Sequence, residues 1–130
     1  MAANDGEWHH ICFTWRNSDG SWKVYKDGEL KFYDTMLKTG YTIKKNGIVI
    51  VGQEQERGTS DNCGVYFDIT QSFQGFITNL NLWSCVLPAE TISEMFQTCI
   101  RGEGDVLKWS DFKHNIQGDA EVVVPSPCVP

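Results

Sequence analysis

Hydrophobic and polar positions alternate along the first third of the chain, and the period is two. Between Trp8 and Trp15, Ile11, Phe13 and Trp15 fall on one face, with His10, Cys12 and Thr14 on the other. Alternation of this kind predicts a half-buried β-strand. Asn17-Ser18-Asp19-Gly20 reads as a turn, because Asp and Gly tolerate the left-handed backbone that tight turns need. Trp22 to Lys26 reads as a second strand, Asp27-Gly28 as a second turn, and Glu29 to Met36 as a third strand. After Asn46-Gly47, the β-branched run Ile48 to Val51 has the character of a buried strand. The pattern then breaks: Gly52 to Gln71 is polar and glycine-containing, which predicts a loop. Phe73 to Trp83 resumes strand character, with Phe76, Leu80 and Leu82 among its apolar positions.

One helix is expected. Leu87, Ile92, Met95 and Phe96 recur at spacings of three to five, with Pro88 at the expected first helical position. Its cap is weak, since Leu87 precedes the proline. A short strand is expected within Asp105 to Asp111, around Leu107 and Trp109. The proline-rich tail from Val122 to Pro130 should run extended over the surface. The pattern as a whole is that of an all-β domain.

Composition narrows the function. The chain has 130 residues, which suits one domain, and 17 Asp plus Glu against 11 Lys plus Arg give a net charge of −6. That sign disfavours nucleic acid, whose phosphates need the opposite charge. The apolar runs are far too short to span a bilayer, so no membrane insertion is expected. The five cysteines (Cys12, Cys63, Cys85, Cys99 and Cys128) contain no CxxC pair. Their spacing suits disulfides in an oxidising compartment better than a zinc site, and the odd count leaves one without a partner in the chain. The expected setting is secreted or extracellular, although the N-terminus carries no signal-peptide pattern.

The order and spacing of several segments resemble the pentraxin family: "HICFTW" (10–15), "DGSWKVYKDGEL" (19–30), "GYTI" (40–43), "VGQEQE" (51–56), "FDITQSFQGFITNLNLW" (67–83), "VLPAETI" (86–92) and "LKWSDF" (107–112). The resemblance covers nearly the whole chain and matches the C-terminal two-thirds of a pentraxin domain. It implies a two-sheet antiparallel jelly-roll sandwich with one short helix, here lacking the first strands of the family. It also implies two calcium ions on one face, a ring of five subunits, and ligands such as phosphocholine, phosphoethanolamine, carbohydrate or matrix components.

The 52–71 loop has the chemistry for calcium, which takes roughly six to eight hard oxygens and tolerates irregular geometry. Glu54, Glu56, Asp61 and Asp68 supply carboxylates, and Gln53, Gln55, Asn62 and Gln71 supply amide oxygens. By resemblance, Glu54, the Gln55 carbonyl, Glu56, Asp68 and Gln71 match the family's ligands. Two depart from the pattern: Glu56 is one methylene longer than the usual Asp, and Asp68 is shorter than the usual Glu. The family's remaining Asp and Asn ligands come from its N-terminal part, outside this chain, so weaker calcium binding is expected. Cys12 matches a cysteine whose partner lies in that same part, and is expected to be free. Cys99 and Cys128 flank the C-terminal segment and are the expected pair. By elimination Cys63 and Cys85 are then the candidates for a second pair, though sequence alone leaves the connectivity open.

Other readings are weaker. His9 and His10 are adjacent on a strand and point to opposite faces, so they cannot clamp one ion together. Trp15 and Trp83 read as core, whereas Trp22 beside a turn reads as a surface contact. A jelly-roll glycanase would need acids in a pattern such as E-x-D-x-x-E. Glu54 and Glu56 have the first spacing, but Thr59 stands where the third acid should be. No enzyme is expected. The leading expectation is a calcium-dependent recognition module, and the alternative is a metal-free adhesion or structural domain of a larger extracellular or receptor protein.

Overall fold

A computed structural model describes residues 4–54, 56–57, 65–66, 68–99, 102–114 and 116–125, and the structural statements below concern these. They fall into two compact units. One comprises residues 1–42 with 78–130, the other residues 43–77.

The first unit is built on a three-stranded antiparallel sheet in the order β1-β2-β3, with β1 at Ile11–Arg16, β2 at Ser21–Lys26 and β3 at Glu29–Asp34. Both expected turns are present. Residues 17–20 close β1 onto β2, and the Asp19 carboxylate accepts the Ser21 N–H at 2.9 Å. Asp27 (φ 55°) and Gly28 (φ 78°) are both left-handed, the backbone that a two-residue hairpin requires to match strand twist. Phe13 pairs with Val24, and Val24 with Phe32, so these three share one face. Phe13 also stacks on Trp22, ring centroids 6.3 Å apart. A bulge between Val24 and Tyr25 then puts Leu30 opposite Tyr25.

The alternation in β1 is as expected, but burial follows the other face. Phe13 is 57% exposed and Ile11 47%, whereas Thr14 is only 8% exposed. Tyr25, opposite Cys12, is buried as well. The reason is the position of the helix α1, Ala89–Thr98, which approaches this second face: His10 lies 6.5 Å from the Phe96 ring, and a Cβ on Gly28 would stand 3.2 Å from it. Ile92 anchors α1 and is completely buried. Pro88 proves to be the N-cap rather than the first helical residue, with no side-chain capping bond. Cys99 (φ 54°) closes the helix by donating its N–H to the Met95 carbonyl at 3.0 Å.

Several expected strands do not form. Ile48 to Val51 is not a strand, and Ile48 is 70% exposed. β-Branched residues favour a strand only where a neighbouring ladder takes up their backbone groups. Phe73 to Trp83 reduces to an isolated bridge between Leu82 and Leu107. The expected strand around Leu107 and Trp109 is that same bridge followed by a four-residue helix, α2, at Trp109–Phe112. Asn81 organises this corner: its Oδ1 accepts the N–H groups of Gly104 (3.0 Å) and Trp109 (3.2 Å). Trp15, Trp22 and Trp83 are all half-buried, so neither Trp15 nor Trp83 is a core residue. The Trp15 indole donates to the Leu37 carbonyl at 2.7 Å.

Candidate calcium loop and comparison with known proteins

The polar loop lies wholly within the second unit. Its neck is closed by two contacts. The Phe73 N–H donates to the Gly52 carbonyl at 2.8 Å, and the Gln53 side-chain amide donates to the Ser72 hydroxyl. Further out, the two-residue strands β4 (Glu56–Arg57) and β5 (Val65–Tyr66) pair antiparallel, Glu56 opposite Tyr66 and Arg57 opposite Val65. Between neck and ladder the returning arm makes a 3-10 turn at Ile69–Gln71. That turn starts from Asp68. Its Oδ1 accepts the Thr70 N–H (2.9 Å) and hydroxyl (2.7 Å), and its carbonyl accepts the Gln71 N–H at 3.0 Å.

These contacts place the expected ligands. Glu54 follows Gln53 directly out of the neck, and Gln71 immediately precedes Ser72 on the opposite arm. Asp68 opens the turn three residues earlier, and Glu56 begins the ladder. The hydroxyl and N–H of Thr70 hold the Asp68 carboxyl below the usual carboxylate range, so it is ionised at neutral pH. Gln55, Cys63 and the side chain of Glu56 lie outside what the structure describes. Among the described residues, no three His, Cys, Asp or Glu side chains are gathered closely enough to hold a metal.

Two contributors to this geometry, Thr70 and Ser72, were not singled out in the sequence. Asp68-Ile69-Thr70 is the signal that could have found the first, since an Asp side chain readily bonds the backbone two residues on. Ser72 carries no local signature.

Elsewhere, His9 and His10 act separately. His9 Nε2 lies 3.0 Å from an Asp5 oxygen and its Nδ1 2.9 Å from Asp27 Oδ2, and these bonds to Asp5 and Asp27 raise its pKa. Burial lowers that of His10, whose Nδ1 has no partner. Cys12 and Cys85 are free thiols, so a Cys63–Cys85 bridge is not formed. Cys85 stands exposed at a bend held by Asp105, which accepts from Ser84. Burial pushes the Cys12 thiol up, the opposite of what an activated nucleophile needs. Cys99 is disulfide-bonded, and its partner lies outside the described residues. No helix among the described residues is long and apolar enough to cross a membrane.

A model of the Pentaxin family, the pentraxins, matches residues 1–125. The chain belongs to the pentraxin family. It is 40% identical over 123 residues to the rat sushi, von Willebrand factor type A, EGF and pentraxin domain-containing protein 1, a match covering 93% of this chain and 3% of that protein. It is 37% identical over 120 residues to human neuronal pentraxin-2, covering 92% of this chain and 27% of that one. It is also 40% identical over 111 residues to mouse neuronal pentraxin receptor, covering 85% and 22%. The pentraxin chain thus corresponds to about a quarter or less of the length of these relatives. Among the described residues, its antiparallel strands and the short helix α1 agree with the all-β jelly-roll class of the family.

Proposed function

We propose that the chain is a calcium-dependent extracellular recognition module, with Glu54, the Gln55 carbonyl, Glu56, Asp68 and Gln71 as its metal ligands. The observation that carries this reading is the closed neck. The Phe73–Gly52 and Gln53–Ser72 contacts bring the Glu54 arm and the Asp68–Gln71 arm together at their bases. The donor set fits the ion: every proposed ligand offers a hard oxygen, and Asp68 is held ionised. A buried amide oxygen, Gln53 Oε1, stands without a partner immediately beside Glu54.

The protein's part is to hold negative oxygens at fixed places and to leave the ligand side open. Bound calcium would supply positive charge and coordination positions for a phosphate or sugar oxygen. Phosphocholine, phosphoethanolamine, carbohydrate and matrix components are the ligand classes to screen, and assembly into a homo-oligomer is part of the same reading. Recognition rather than catalysis is also favoured by the chain's nucleophile candidates: the Cys12 thiol is held in its neutral form. Pairing of Cys99 with Cys128 is proposed for the bridge at the helix end.

A thermal melt in millimolar calcium and then in excess EGTA tests the reading, with the Glu54→Gln/Asp68→Asn double variant alongside. A ligand at about 100 times its Kd stabilises the folded state by about 2.7 kcal/mol, which moves the midpoint by several degrees. The expected result is a calcium shift in the wild type that vanishes in the double variant. No shift in a folded sample would favour the metal-free adhesion module instead.

A further inference from the structure

Gln53 occupies the narrowest point of the loop. Its amide nitrogen donates to Ser72 Oγ across the neck, while its Oε1 is buried and accepts nothing. Buried amide oxygens in folded proteins almost always find a donor, from protein or from an ordered water. Here the protein provides none, and the adjacent residue is Glu54, the first ligand of the proposed site.

We infer that Gln53 is a positioning residue of the calcium loop: its side-chain N–H group fastens the returning arm through Ser72. The inference rests on the calcium reading above. Its physical content is that Gln53 sets the separation of Glu54 and Gln71, which flank the Gln53–Ser72 pair on opposite arms. The one backbone bond at the neck, Phe73 N–H to Gly52 O, lies a residue further from the ligands. Groups that orient metal ligands without touching the metal typically change affinity by about 10- to 100-fold when removed.

The test is calcium titration by calorimetry of the full chain as wild type, Gln53→Leu, Gln53→Glu and Ser72→Ala. Urea unfolding and loop proteolysis of each in EGTA report on the metal-free protein. Gln53→Leu and Ser72→Ala each remove the latch, from opposite arms. Gln53→Glu keeps the latch by letting the Ser72 hydroxyl donate in return. Calcium should bind at least about tenfold more weakly to Gln53→Leu. Ser72→Ala should also weaken it, and Gln53→Glu should stay near the wild type. In EGTA both weakened variants should show faster cleavage within the loop, with little change in the global urea midpoint. Wild-type binding with Gln53→Leu unchanged would overturn the inference and leave the calcium reading standing. Equal weakening in Gln53→Leu and Gln53→Glu would show that the bond to Ser72 is not what positions the loop and also overturn it. If Gln53→Leu does not fold, Ser72→Ala decides: unchanged affinity there removes the latch. No binding by the wild type would sink the calcium reading itself.

Discussion

Replacing Gly104 with alanine should cost about 3–6 kcal/mol, because the clash opens a backbone bridge and leaves residual overpacking. A Cβ on Gly104 would stand 2.2 Å from the Leu107 carbonyl oxygen, 2.3 Å from the Leu82 carbonyl oxygen and 2.7 Å from the Leu82 nitrogen. All three are backbone atoms, so no flexible side chain can move aside. To make room, the bridge between Leu82 and Leu107 has to open. That bridge consists of Leu82 N–H to Leu107 O (3.0 Å), Leu107 N–H to Leu82 O (3.3 Å) and Val106 N–H to Leu82 O (3.0 Å). Losing two or three such bonds at about 1 kcal/mol each gives the lower part of the range. Residual overpacking, typically about 1–3 kcal/mol, supplies the rest. Gly118→Ala is the matched control. Gly118 has φ 70° with nothing within 4 Å, so its alanine meets only the left-handed backbone penalty of roughly 1–2 kcal/mol. Urea unfolding at constant pH, followed by tryptophan fluorescence, measures both, and a thermal melt should show Gly104→Ala lower by on the order of 10 °C. If Gly104→Ala is no less stable than Gly118→Ala, the tight packing of residues 81–82 against 104–107 is wrong.

Three further outcomes follow from the geometry. Ile92→Ala should destabilise by about 2–5 kcal/mol and Ile92→Val by about 0.5–1.5, read as urea midpoints, because Ile92 is the fully buried anchor of α1. His9 gains its bonds to Asp5 and Asp27 when protonated, so its folded pKa is raised and its contribution is complete below the unfolded value of about 6.5. The stability difference between wild type and His9→Gln should therefore shrink as pH rises through the raised folded pKa, and a difference that grew with pH would contradict the Asp5–His9–Asp27 contact. Asp27 works in the opposite sense: burial pulls it up, but His9 and the His10 N–H more than reverse this, so Asp27→Asn should cost stability at neutral pH and progressively less as pH falls through the lowered folded pKa.

The local signals in the first third of the chain were legible because they are governed by neighbouring residues. Asp27-Gly28 demands a two-residue hairpin whatever surrounds it, and the period-two pattern of β1 to β3 fixes which residues share a face. What alternation cannot say is which face is covered. That depends on where α1 arrives, a long-range fact, and α1 approaches the side with His10, Cys12 and Tyr25. Ile48 to Val51 and Phe73 to Trp83 failed for a related reason. Their composition favours strands, but composition states a preference and a ladder needs a partner. Gly104 and Asn81, which hold the second half of the first unit together, left no periodic signal at all.

The candidate site divides along the same line. Glu54, Glu56, Asp68 and Gln71 were found from oxygen-rich composition and from motif order, neither of which depends on periodicity. Asp68 lies 14 positions from Glu54 in sequence, and nothing in that spacing brings the two arms together. The neck does so, through one backbone bond and one side-chain bond, and the ladder of β4 and β5 keeps the register beyond it. The neck contacts join positions 52 to 73 and 53 to 72, which would put Glu54 opposite Gln71. The β4–β5 ladder joins 56 to 66 and 57 to 65. The returning arm therefore carries three more residues than the outgoing arm between neck and ladder. The Asp68–Gln71 turn takes up that excess, and Asp68 pins it through Thr70. An extra turn in one arm of an antiparallel pair points carbonyls and side chains away from the ladder, so it gathers oxygens where a regular hairpin would spend them on pairing. Asp68 is thus both a ligand candidate and the residue that makes the turn. Its replacement by Asn, which can still accept from Thr70, is therefore the cleaner test of charge, and its replacement by Ala a test of the turn.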